Sequence, residues 1–310
     1  MNRRTALRGL IGAPAAMKVA PLLDGAETLE RIQVGGAKLD VDIGSVQSEL
    51  GKTVLLDWIT RSAKAATAYF GKFPVAHARI RVTVSDRGRV SNGMSFGAGG
   101  AHCRIAVGPH VTPRDLFDDW KLTHEMVHFG FPSVEDRHHW IEEGIATYVE
   151  PIARASISIL APEQVWGEML RDMPHGLPGT GDRGLDRTRT WGRTYWGGAL
   201  FCLMADVKIH QRTGNTRGLQ DALRAINRAG GTIEVEWPLE RVLEIGDRAT
   251  GGGTLMQLYS KMAFEPVAVD LDQLWEQLGV RRTGQGIALD DQAPLAAIRG
   301  AICGPAGKAG

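Results

Sequence analysis

The sequence predicts an α+β fold: a small N-terminal mixed sheet with a helix against it, then a mainly helical remainder. Three observations carry this. Residues 77–84 (HARIRVTV) alternate and are β-branched, and HCRIAVGP (102–109) repeats the pattern. Before them, Leu50, Val54, Trp58, Ile59, Ala65 and Phe70 recur at helical spacing. After residue 111, capping signals and helical periods follow one another to about residue 279.

The chain begins MNRRTALRGLIGAPAAMKVAPLLDGA, with basic residues, a modestly apolar stretch and small residues, and no acid before Asp24. That order is the layout of an export signal. Arg3, Arg4, Leu7 and Arg8 resemble a bacterial twin-arginine signal, with Ala6 where an aromatic usually stands. Residues 1–26 are therefore set apart from the fold. Periplasmic or extracellular location is expected, with the cytoplasm as the alternative. No other run approaches the roughly 18 apolar residues of a membrane-spanning helix.

A helix is expected from Ser48 to Phe70, closed by FGKFP. The glycine-rich SNGMSFGAGG between the two strands reads as a hairpin loop. Thr112, Pro113 and Asp115 supply a cap, a proline at the first helical position and an acid at the third, so one helix should run from here to Phe129, where Gly130 and Pro132 stop it. Further helices are expected at 139–155, 195–212, 217–228, 237–246, 253–262 and 270–279, with a loop at 175–187. This gives a sheet-containing lobe (27–111), a helical lobe (112–300) and a frayed tail (301–310).

Thirty-six basic and thirty-five acidic side chains leave a charge of +1, so no whole-chain field recruits nucleic acid or an anionic membrane. Cys103, Cys202 and Cys303 lie far apart and form no CxxC pair. A cysteine zinc ribbon or dithiol centre is thereby disfavoured. Function must be read from a site.

That site begins in KLTHEMVHFG (121–130), an HExxH motif. Residues four apart on a helix differ by about 40° in azimuth and about 6 Å in height, so His124 and His128 can ligate one ion from one face. Glu125 sits about 100° round, beside the metal but not on it. A carboxylate there can take a proton from a water whose pKa zinc has lowered. Leu122, Met126, Val127 and Trp120 would bury the other faces. Catalytic zinc usually has three protein ligands, and His138, His139, Glu142 and Glu143 all follow within fifteen residues of His128. The metzincin pattern is excluded, because Phe131 and Val134 stand where it needs Gly and His. Periodicity does not choose between Glu142 and Glu143; Gly144, which permits close helix approach, mildly favours Glu143.

These residues resemble the gluzincin (peptidase MA-like) metallopeptidases, in the branch of aminopeptidase N and the glycyl aminopeptidases. There HExxH is followed by a helix of the form W-x-x-E-G-x-A-T-Y, matched by Trp140, Glu143, Gly144, Ala146, Thr147 and Tyr148. The resemblance implies a thermolysin-like zincin catalytic domain, one Zn2+ ion, and Glu143 as third ligand. The fourteen residues between His128 and Glu143 are fewer than the family's usual separation, which implies a tighter turn. TYWGGALFCLMADVKIHQRTG (194–214) resembles a second family segment, whose tyrosine stabilises the oxyanion and corresponds to Tyr195; Gly197 replaces the family lysine. A neutral phenol suits that task on physical grounds. Asp206 fits either an acid supporting the site or a solvated helix acid, and Tyr148 a core position.

The specific motifs span roughly residues 115–228, and the chain is expected to be the catalytic core without the family's large N-terminal β domain. In the aminopeptidases of this branch, a G-x-M-E-N loop on the strand nearest the zinc grips the substrate's free amine. Here Gly93 and Met94 are followed by Ser95 and Phe96, with no acid from Ser91 to His102. The expected activity is zinc-dependent hydrolysis of peptide or protein substrates, with aminopeptidase and endopeptidase both open. A peptidase-like binding protein without turnover, or a zinc hydrolase of another bond, uses the same residues.

Overall fold

The computed structural model describes residues 29–44, 50–86 and 88–303. The expected export signal, the first two residues of the Ser48–Phe70 helix and residues 304–310 lie outside them. Two strands unforeseen in the sequence open the fold: β1 (Glu30–Val34) and β2 (Ala37–Asp42) form an antiparallel hairpin. Their alternation is plain in hindsight, since Leu39 and Val41 are buried while Lys38 is exposed. Helix α1 (Lys52–Phe70) then leads to β3 (His77–Val84), which lies parallel to β2.

Strand β5 (His102–Val107) pairs parallel with β3. Outside it lies β4 (Val90–Phe96), antiparallel to β5 and at the edge of a five-stranded mixed sheet of order β1-β2-β3-β5-β4. Most of the segment expected as a hairpin loop is thus a strand. Its glycine and serines hide the pattern, and a bulge between Ser91 and Met94 breaks the register, with Asn92 at φ 41°.

Helix α1 is the hinge between two cores. Leu55, Trp58 and Ile59 pack under the sheet, whereas Ala65, Tyr69 and Phe70 join the helical core. That second core comprises α4 (His139–Ser156), α5 (Pro162–Asp172), α6 (Gly198–Arg212), α7 (Leu219–Arg228), α8 (Leu239–Thr250), α9 (Thr254–Met262), α10 (Leu271–Leu278) and α11 (Ala296–Ile302), numbered after α2 and α3 below. A hairpin of β6 (Val280–Thr283) and β7 (Gly286–Leu289) packs beside α10. The tail was expected to fray from residue 301, yet Ile302 and Cys303 are buried and the Trp166 indole donates to the Cys303 carbonyl at 3.3 Å.

The helix expected from Pro113 to Phe129 is two helices, α2 (Pro113–Asp118) and α3 (Lys121–His128). Thr112 and Asp115 do form the expected reciprocal cap on α2. The break comes at Asp119, whose backbone turns extended (φ −63°, ψ 134°). Its buried carboxylate accepts from the Lys121 and Leu122 amides at 3.2 and 3.1 Å and from the Trp58 indole at 3.2 Å. A new helix therefore starts with two of its first-turn amides satisfied and locked to α1. It carries Leu122, Met126 and Val127 fully buried, as the motif's other faces require.

Replacing Asp119 with alanine removes that cap and strands a buried indole N–H, so chemical denaturation should show a loss of about 2–4 kcal/mol. A loss under about 0.5 kcal/mol would contradict this account of the break.

Candidate metal centre

Three segments meet at one cleft of about 570 Å³. Helix α3 brings His124, Glu125 and His128, helix α4 brings Glu143, and the turn before α6 brings Tyr195; the edge of β4, residues 92–98, lines another side. The backbone of β4 runs close over Glu125. A Cβ on Gly93 would lie 2.6 Å from Glu125 Oε1, so no larger residue fits without displacing the carboxylate. Two residues on, the Ser95 hydroxyl donates to the Glu125 main-chain carbonyl at 2.8 Å and ties β4 to α3.

Glu143 Oε2 faces His124 Nε2 at 3.2 Å and His128 Nε2 at 3.8 Å. Ligand atoms of the three residues all lie within 4.8 Å of one another. Ligands at about 2.0–2.1 Å from a tetrahedral zinc stand about 3.3 Å apart, so this set fits the ion in kind and in spacing. The three cysteines are buried and unpaired, and none belongs to the set.

The neighbouring glutamates differ in what each touches. Glu142 accepts from the Val134 amide at 3.0 Å with one oxygen and meets His139 Nδ1 at 2.9 Å with the other. Of the two, Glu143 faces the imidazoles of His124 and His128. His139 is exposed and also lies 3.5 Å from Glu143 Oε1. His138, by contrast, is buried with Nδ1 2.9 Å from Asp186 Oδ1, away from the metal set.

Close helix crossing makes the meeting possible. A Cβ on Gly144 would lie 2.3 Å from the Gly198 carbonyl carbon, so α4 and α6 touch backbone to backbone. Tyr195 stands three residues before Gly198, in a π turn (Gly192–Gly197), and lines the cleft together with Glu143. The tyrosine ring lies 6.5 Å from that of His124 at an interplanar angle of 27°. Asp206 is no solvated acid: it is buried, accepts from the Tyr148 hydroxyl at 2.8 Å and from the Leu219 amide at 2.7 Å, and so holds core helices together. Tyr148 is buried, as expected.

Burial sets the proton affinities here. It pushes the Glu125 carboxyl up to about 7, helped by the charge of Glu143 and opposed by His124. Burial brings His128 down to about 4, which keeps it neutral as a ligand must be. It works against the charge of Glu143 too, yet the facing imidazoles overcome it and hold that carboxyl down at about 2. Burial lowers His124 most strongly, yet its bond to Glu143 and the charges of Glu143, Glu125 and Glu150 together raise it above its ordinary value. Tyr195 is raised by burial and by the nearby acids, so it stays a neutral donor.

No protein-family model matches the chain, and a search of curated proteins finds none similar. Solved structures do share its fold. An aminopeptidase N family protein from Idiomarina loihiensis is 13% identical, with a TM-score of 0.60 over 83% of this chain and 50% of that one. Yeast LTA4 hydrolase is 14% identical, with a TM-score of 0.50 over 78% of this chain and 40% of its own. Legionella pneumophila aminopeptidase A, solved with aspartic acid, is 11% identical, with a TM-score of 0.50 over 77% and 28%. The chain thus has an aminopeptidase N-like fold and spans half or less of the length of these proteins. No described helix is long and apolar enough to cross a membrane.

The raised proton affinity of His124 has a consequence for metal uptake, since that proton must leave before the nitrogen can ligate. Zinc affinity should fall about tenfold per pH unit below the pKa of His124, a decline that begins at higher pH than an ordinary histidine would give. Competition against a chromophoric chelator between about pH 8 and about pH 6 reads this. A flat profile would contradict it.

Proposed function

We propose that this protein is a zinc-dependent metallopeptidase of the gluzincin type, with His124, His128 and Glu143 as metal ligands. The observation that carries the reading is Glu143 Oε2, delivered by a separate helix to within 3.2 and 3.8 Å of both imidazole nitrogens. A zinc ion held there supplies Lewis-acid polarisation of a water and of a substrate carbonyl.

Glu125 takes the proton of the attacking water and returns it to the leaving nitrogen. Desolvation suits it to this work, because a carboxyl near 7 is a stronger base than one in water and still releases its proton. Ser95 keeps the main chain of Glu125 fixed against β4. Tyr195 donates its hydroxyl to the negative charge that develops on the carbonyl oxygen, and its raised proton affinity keeps that donor intact. The edge of β4 that lines the cleft, Asn92 to Phe96, offers an extended peptide a place as a further strand.

The cleft's carboxylates favour internal cleavage over removal of N-terminal residues. Glu125, Glu142 and Glu143 line it; the first is the proposed base, the second is engaged by Val134 and His139, and the third faces the ligand imidazoles. An α-ammonium buried there would lack a carboxylate of its own. Export through the segment 1–26 belongs to the same proposal, as does a peptide or protein substrate.

Glu125→Gln should retain about one equivalent of zinc while hydrolysis of a peptide library falls about 10²–10⁴-fold, because the ligands stay and the base is lost. Undiminished activity would sink the mechanism. Zinc uptake with no hydrolysis of any peptide by the wild-type protein would favour a binding protein or another bond. N-acetylation of a cleaved peptide should leave kcat/KM within about threefold; loss of about 10³-fold would point to an aminopeptidase.

A further inference from the structure

We propose that Arg193 and Asp182 form a buried clasp that positions the Tyr195 hydroxyl in the cleft it shares with Glu143. The inference rests on the reading of Tyr195 given above.

Tyr195 sits in the π turn Gly192–Gly197, a wider and less self-supporting turn than an α-helical one. Something else must fix its shape. Arg193, two residues before the tyrosine, turns its side chain inward, where it is 4% exposed. Its Nε lies 2.7 Å from Asp182 Oδ2, on a side chain 2% exposed, and its Nη1 donates to the Gly176 carbonyl. The same Nη1 would lie 3.3 Å from a Cβ on Gly197, with Leu185 Cδ2 at 2.7 Å. The guanidinium therefore fills the space beside the end of the turn, and residue 197 has to be small.

The loop that supplies Asp182 also reaches the helix that carries Glu143. Asp182 caps its own turn by accepting from the Gly184 amide at 2.8 Å. Four residues after Asp182, Asp186 Oδ1 accepts from the Trp140 indole at 2.7 Å and faces His138 Nδ1 at 2.9 Å. Trp140 lies in the first turn of α4, three residues before Glu143. One loop thus holds the Tyr195 side through Asp182 and the Glu143 side through Asp186. The amides of Leu185 and Asp186 bond in turn to the Met262 and Ala263 carbonyls, which anchors the loop to α9.

Neither Arg193 nor Asp182 lines the cleft, so both act through Tyr195. A buried ion pair is a poor source of stability, because desolvating the two charges offsets their attraction. Two buried charges held 2.7 Å apart act as a spacer instead.

A double-mutant cycle tests this with a peptide the wild-type protein cleaves. Arg193→Met should lower kcat about 10–100-fold with KM and zinc content unchanged, the loss expected when an oxyanion donor is displaced. In a Tyr195→Phe background the same substitution should cost less than about twofold, since no hydroxyl remains to be placed. Asp182→Asn keeps the shape and should follow the same pattern; it carries the test if Arg193→Met does not fold. Thermal midpoints of all variants separate positioning from general loosening. Equal losses of kcat in both backgrounds, or no loss beside an intact Tyr195, would overturn the clasp. If Tyr195→Phe alone leaves kcat unchanged, the oxyanion reading fails, and the clasp with it.

Discussion

Backbone contact between Gly144 and Gly198 is the constraint on which the site depends. Each glycine occupies space that a side chain would deny to the other helix, so α4 and α6 cross at closest approach. Glu143 precedes one of these glycines and Tyr195 stands three residues before the other. Their shared position follows from the crossing. A methyl group at either glycine would push the helices apart and carry the carboxylate away from His124 and His128. Close packing thus does the work that a loop would do with less accuracy.

Burial then gives four titratable groups different chemistry within one cleft. Desolvation acts on every one of them, and the outcome depends on the neighbours. His128 loses its proton affinity, His124 gains through its bond to Glu143, and Glu143 stays ionised between them. Glu125 has less compensation and takes up a proton more readily. One ionised carboxylate facing two imidazoles, with a basic carboxyl beside them, suits a cation bound on one side and a proton exchanged on the other. Adjacent in sequence, Glu142 and Glu143 are separated in function by the turn before α4, whose Val134 amide takes the first and leaves the second.

Much of this was legible from residue types and spacing. HExxH on one helix face, the glutamate helix that follows, and the boundaries of α4, α7, α9 and α10 follow from periodicity and capping, whereas α8 runs four residues past its expected end at 246. Gly144 read correctly as a close-approach glycine, though its partner was invisible because Gly198 lies 54 residues on. What escaped has physical causes. Asp119 looked like one more helical acid, and only its contacts with Trp58 and two amides show that it ends one helix and starts another. β4 was obscured by small residues that the close passage over Glu125 requires. Asp206 and the Asp182–Arg193 pair are charged, so exposure was the default for them, and only tertiary contacts reveal them as buried supports.

The proposed chemistry requires a zinc ion held by two helices. X-ray absorption at the zinc edge of the purified, metal-loaded protein tests this most directly. The expected spectrum shows two imidazole nitrogens and carboxylate or water oxygens at about 2.0–2.1 Å, with no sulfur, and loses the ordered shell in Glu143→Ala. A shell containing sulfur at about 2.3 Å, or one unchanged by Glu143→Ala, would contradict it.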